Sequence, residues 1–227
     1  MQAVDSIDYL TDSEPAPGRL ELVKRFVNTV DHEHGREVLS EPAKLASLLV
    51  ELGLLEPGTR VTHADLERAR DLRESLRSLA LANNGVPSDI ELRVDAVVHV
   101  AEGDARLEPA RRGVDGAFAE LVGIVYTAMA DGTWQRLKAC RRDVCGWLFY
   151  DRSRNHSAVW CQMAVCGNRT KTKAYRARRA PGTKRSSVIH SPPIATPAPS
   201  STTITPPAPG TVSAKKSRSP GSATTTR

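Results

Sequence analysis

Cys140-Arg-Arg-Asp-Val-Cys145 and Cys161-Gln-Met-Ala-Val-Cys166 contain every cysteine of the 227-residue chain. The two pairs share one internal spacing and are separated by fifteen residues. Each pair closes a small ring at little entropic expense, and an ion bound by all four thiolates joins the rings in a tetrahedral site. Two disulfides, unpaired core thiols and an iron–sulfur cluster are the competing uses of four cysteines. Nothing else in the chain points to an oxidising compartment, and the matched pairing argues against scattered core residues. The expectation is one structural Zn2+ on Cys140, Cys145, Cys161 and Cys166. Four sulfur ligands leave no open position for a reactive water, so this metal is not catalytic.

Working outward, Trp147-Leu-Phe-Tyr150 and Ala158-Val-Trp160 are strand-like, with the turn-rich Asp151-Arg-Ser-Arg-Asn-His156 between them. From Gly167 to Arg179 the pattern is that of a short helix. Paired loops, a hairpin and a helix describe a treble-clef-like finger over residues 134–179. It has too few apolar side chains to stand alone, so removal of the metal is expected to unfold residues 140–179 and leave the front of the chain folded. The segment carries 12 Lys and Arg against 2 Asp and Glu. On the helix, Thr170, Ala174 and Ala177 form a small-residue face suited to lie against the hairpin, with Tyr175 packing on the finger or, alternatively, stacking on a base. The cations crowd outward. A solvated surface is the ordinary fate of such a run. Beside a zinc module and a basic tail it reads as phosphate contact by Arg169, Lys171, Lys173, Arg176, Arg178 and Arg179, with affinity from counterion release. Asn168 and Arg169, at the helix start, are the candidates for base edges, or alternatively cap the helix and orient the sulfurs.

The front of the chain, residues 1–133, has the opposite character, with 14 basic against 24 acidic side chains, and its helical domain spans residues 19–133. Helical periodicity begins at Leu20 (Val23, Phe26, Val27, Val30). It resumes after Ser40-Glu-Pro42, where Ser40 can cap, and stops at Gly53. Thr62 and Asp65 open a third helix that closes at Asn83-Asn-Gly85. Leu92 to Val100 alternates like a strand, with a hairpin expected around Arg111-Arg-Gly113. Val114 to Met129 reads as a buried helix. Residues 1–18 read as a flexible leader without the basic start and apolar run of a secretory signal. Residues 180–227 hold nine Pro, nine Ser and nine Thr and no carboxylate, the composition of a disordered tail. No stretch approaches the ~18 to 20 consecutive apolar residues of a membrane span. His32 and His34 in Asp31-His-Glu-His34 do not form the His-Glu-x-x-His metal motif and no His-x-Glu precedes the cysteines, so no enzyme is expected.

The run Cys161-Gln-Met-Ala-Val-Cys166-Gly-Asn-Arg169-Thr-Lys171 resembles the CGNR zinc-finger proteins of bacteria, in which this finger follows an ABATE domain. Leu148-Phe-Tyr-Asp151-Arg-Ser-Arg-Asn155, the Trp160-Cys161 step and Tyr175-Arg-Ala-Arg178 extend the likeness. Phe26-Val-Asn-Thr-Val-Asp31 and Ala69-Arg-Asp-Leu-Arg-Glu-Ser-Leu-Arg77 are similar to two stretches of the ABATE domain. The resemblance implies a transcription regulator, linked to stress by family description, and maps the family's zinc ligands onto the four cysteines. Members often carry arginines before the Trp-Cys step, where this chain has Ala158 and Val159, so the helix must carry more of any DNA contact. The combined expectation is a mainly α protein with minor β: a cytoplasmic DNA-binding regulator with a helical domain, a zinc finger and a tail. The alternative is a zinc-stabilised module that docks on an acidic protein surface, its own front domain included. RNA is a further polyanion open to the same helix.

Overall fold

The computed structural model describes residues 14–179, without the side chains of Asp104 and Arg179. The tail, 180–227, and most of the leader lie outside the described residues. Helix α1 (Leu20–Val27) opens the fold and is followed by the two-residue strands β1 (Val30–Asp31) and β2 (Arg36–Glu37). Helices α2 (Pro42–Glu51) and α3 (His63–Ala82) come next, then a hairpin of β3 (Ala96–Ala101) and β4 (Asp104–Pro109), then α4 (Gly113–Ala130). A second hairpin, β5 (Leu137–Ala139) and β6 (Leu148–Tyr150), carries the first cysteine pair, and α5 (Asn168–Arg179) ends the described chain. The architecture is mainly helical, with three small antiparallel sheets among the described residues.

Local chemistry explains most boundaries. At the start of α3, Thr62 and Asp65 form a reciprocal capping box, each side chain satisfying a backbone N–H that a helix end leaves open. Pro42 occupies the first turn of α2, but the capping position is Glu41, whose side chain makes no cap bond, rather than Ser40. The end of the leader is fastened: Ala16 is buried, and Lys24 Nζ donates to the Glu14 carbonyl at 2.8 Å.

The expected hairpin around Arg111–Gly113 lies elsewhere. Strands β3 and β4 pair from Ala96 with Pro109 to Ala101 with Asp104, turning at Glu102 and Gly103, both at positive φ. That is the twist a two-residue hairpin needs, while Arg112 instead precedes α4 as its cap residue. Helix α4 is long and apolar enough by length and composition to cross a bilayer, yet nine of its residues are buried in the protein's own core.

That core does not stop at residue 133. Leu20, Val23, Phe26 and Val27 of α1 meet Leu66, Leu76, Leu121 and Val125, and the same cluster takes in Trp134, Leu137, Ala139 and Leu148. A buried Leu side chain stabilises by about 1.5–3 kcal/mol, so the β5–β6 hairpin is held by the helical domain as well as by its cysteines.

Candidate metal centre

Cys140 follows β5 directly, and its N–H donates to the Trp147 carbonyl at 2.9 Å, extending the hairpin toward the ligands. Cys145 closes a tight turn on the Arg142 carbonyl at 2.8 Å. Gly146 follows at φ +58, and an added Cβ would stand 3.3 Å from Arg77 Cδ. The second pair comes from Cys161 and from Cys166, in a one-turn π-helical segment (Met163–Gly167) leading into α5. A Cβ on Gly167 would meet Met163 Sδ at 2.3 Å and the Trp160 ring at 3.1 Å, so the close packing behind the last ligand favours glycine.

All four sulfurs lie within 4.8 Å of one another. Cys145 Sγ is 3.7 Å from Cys161 Sγ, which is 3.6 Å from Cys166 Sγ. Zn–S bonds of about 2.3 Å in a tetrahedron place sulfurs roughly 3.8 Å apart, so the donor set fits one zinc ion. The cysteines are not disulfide-bonded. A 4Fe–4S cluster, with a separate iron for each cysteine, would hold all four sulfurs farther apart, and a 2Fe–2S cluster would separate them into two pairs. Backbone N–H groups of Arg142 and Trp147 point at the sulfurs of Cys140 and Cys145, as thiolate ligands require. Sulfurs this close oppose one another's ionisation. Hydrogen bonds from Cys145 and Cys161 hold the Cys140 thiol down to about 2, and the same contact pushes Cys145 up to about 12 and Cys161 up as well. A divalent cation removes that opposition.

The chain matches the family description CGNR zinc finger over residues 136–179. It matches ABATE, described as "Putative stress-induced transcription regulator", over residues 20–132. It is a CGNR zinc-finger protein with an ABATE domain in front. The finger therefore binds one structural zinc through Cys140, Cys145, Cys161 and Cys166. No curated protein matches the chain at a significant level.

Within the CGNR finger the hairpin differs from the sequence expectation. Strand β6 pairs with β5, from Leu137–Tyr150 to Ala139–Leu148, and Ala158–Trp160 forms no strand. The reason is Asp151. Its buried carboxylate accepts from Lys138 Nζ at 2.7 Å, Ser153 N at 2.9 Å and Ala158 N at 3.0 Å. Burial would raise this acid, but Lys138 and the Ser153 donors hold it down at about 2. Lys138 Nζ also donates to the carbonyls of His156 and Ala158. One ion pair thus folds the whole 151–158 loop.

The ABATE domain grips the finger with side chains that the sequence reading left without a role. Asn28 is fully buried; its Nδ2 donates to the Leu148 carbonyl at 3.0 Å and its Oδ1 accepts from Leu148 N at 2.7 Å. Asn84 Nδ2 donates to the carbonyls of Ala139 and Val159. Arg77 donates to Val27 O at 2.7 Å and Gly146 O at 2.5 Å. Within the ABATE domain, Arg73, also buried, forks onto Glu37 at 2.7 and 2.8 Å beside Arg77. Asn28, Arg73 and Arg77 fall in the two stretches that carry the ABATE likeness. The amide side chains just past the ends of α1 and α3, and the buried arginines within α3, were the available signal, but only a partner strand gives that signal meaning.

The predicted polyanion contacts have unequal surroundings. Asn168 Nδ2 donates to the Ala164 carbonyl at 3.1 Å. Arg169 forms an ion pair with Glu33, which Arg142 also engages at 2.6 and 2.8 Å. The Arg142 hydrogen bond, against burial and with the charges of Arg142, Arg169 and His34, holds Glu33 down to about 2. Lys173 lies 3.9 Å from Asp143, with both ends exposed. Lys171, Arg176 and Arg178 are exposed and have no ion pair among the described residues. Arg179 ends α5. Beyond Thr170, whose Oγ1 donates to the Cys166 carbonyl at 2.9 Å, the helix is exposed on every side. Ala174 and Ala177 therefore do not lie on the hairpin, and Tyr175 is 51% exposed. The hairpin's apolar face is already buried in the ABATE core, which leaves α5 nothing to cover.

Proposed function

We propose that this protein is a DNA-binding transcription regulator, acting in the cytoplasm without catalysis. In this reading, α5 lies along a phosphate backbone. The observation that carries it is the exposure of Lys171, Lys173, Arg176 and Arg178, which among the described residues have one carboxylate partner, Asp143 beside Lys173. An exposed pair at that distance is worth little, so such a helix offers its cations to a polyanion at small cost. Phosphate contacts by these residues and Arg179 set position, and Asn168 and Arg169 are the groups nearest the helix start for base edges. A second reading, finger docking on an acidic surface of its own chain, is supported by the Glu33 contacts with Arg142 and Arg169, while Asn28, Asn84 and Arg77 join the finger to the same domain through backbone bonds. The two are compatible, because those contacts take the base of the finger and leave the outer turns of α5 exposed.

The test is a salt titration of binding to random-sequence duplex DNA and to RNA. Lys173→Ala with Arg176→Ala should weaken binding to all DNA sequences and reduce the slope of log K against log salt by about 0.9 per lost contact. Affinity and slope unchanged in that zinc-loaded double variant would overturn the assignment. Preference for RNA over duplex DNA would redirect it.

A further inference from the structure

Two guanidinium groups from separate parts of the finger converge on one carboxylate. Arg142, between the first two cysteines, places Nη1 at 2.6 Å from Glu33 Oε2 and Nη2 at 2.8 Å from Oε1. Arg169, in the first turn of α5, reaches the same Oε1. Side by side, two arginines around a two-oxygen anion are an arrangement that suits a phosphate as well as a carboxylate. Building on the nucleic-acid reading above, we propose that Arg142 and Arg169 form a phosphodiester-binding site that Glu33 of the ABATE domain occupies in competition with the nucleic-acid backbone. Arg142 becomes a phosphate contact that the sequence pattern did not suggest, because it lies outside the basic helix.

The surroundings fit a displaceable occupant. Glu33 sits in the turn between β1 and β2, which are two residues each. Asp31 Oδ1 accepts from the N–H groups of Glu33 and His34 at 3.0 and 3.1 Å, and His34 Nδ1 meets Asp31 Oδ2 at 2.6 Å. These bonds shape the tip locally. Anchoring lies on either side of it, at the buried Val30 and at Glu37 held by Arg73. Few backbone bonds oppose movement of the tip, so it can open without disturbing the core. Of the two arginines, Arg142 is the better anchored. Arg142 also donates to Cys166 Sγ at 3.8 Å, which ties its position to the metal centre. Lys173, one turn along α5 from Arg169, lies 3.9 Å from Asp143 of the same loop, so the site borders the cationic row of the helix.

Glu33→Gln removes the competing charge and keeps the size of the side chain. In the full, zinc-loaded chain it should bind random duplex DNA about tenfold more tightly at low salt, the scale of one recovered charge-assisted contact. The salt slope should steepen by about 1–2 as one or both arginines turn to phosphate. Adding Arg142→Gln to that variant should return affinity and slope to the wild-type values or below. Zinc content and melting temperature of each variant establish that the fold is retained. Wild-type binding that Glu33→Gln leaves unchanged overturns the competition while preserving the role of α5. A gain that survives Arg142→Gln also overturns it. No binding by either protein at low salt ends the nucleic-acid reading and this inference together.

Discussion

Replacing Asn28 by Ala should loosen the finger from the ABATE domain without touching a metal ligand. Asn28 acts as a strand partner for Leu148, pairing with both its N–H and its carbonyl in a fully buried setting. Alanine orphans both backbone groups. Each buried polar group left unpaired costs about 1–3 kcal/mol, which sums to about 2–6 kcal/mol. For a domain of this size each kcal/mol lowers Tm by about 2–4 °C, so a loss of ~4 kcal/mol lowers it by about 8–16 °C. Asn28→Asp should be at least as damaging. It keeps an acceptor for the N–H, sets an oxygen against the carbonyl and buries an unpaired charge. Thermal unfolding at saturating zinc reads the first effect, and hydrogen exchange at the Leu148 amide reads the second. A stability change within about 0.5 kcal/mol, with Leu148 as protected as in the wild type, would refute the joint.

Asp151→Asn strands the buried Lys138 charge and should cost about 3–5 kcal/mol. Because the folded Asp151 titrates at about 2, below its ordinary 3.8, its contribution is full above about pH 4 and fades as pH falls toward 2. The gap between wild type and variant in urea unfolding should therefore narrow, by about 2 kcal/mol, only in that window; a gap already that much smaller at pH 6 would contradict the pairing. Chelation of zinc should open residues 140–147 and 158–179 to hydrogen exchange while β5 and β6 stay protected, since Leu137, Ala139 and Leu148 belong to the helical core. Simultaneous opening of both strands would show that the metal alone holds the hairpin.

The four-cysteine site was legible because its information is local: two identical short spacings leave few other uses for the thiols. The Thr62–Asp65 cap and the positive-φ Gly53 were legible for the same reason, as each acts within a turn of its own helix. Ala158–Trp160 misled because alternation reports only the possibility of a strand. Asp151, joined to Lys138 thirteen residues away, takes up the Ala158 N–H and shapes a loop instead. The small-residue face of α5 misled in the same way, since periodicity identifies a face but not whether anything is left to cover it.

Residue order alone therefore determined the metal, its ligands, the helical character of residues 20–130 and the basic helix, all of which rest on spacings shorter than a few turns. Tertiary structure decided that the finger shares the ABATE core, that Asn28 and Asn84 complete its backbone bonding, and that Glu33 holds Arg142 and Arg169. Those contacts span 55 to 136 residues. No local propensity encodes them: the chain must close before a lone amide or carboxylate acquires its partner.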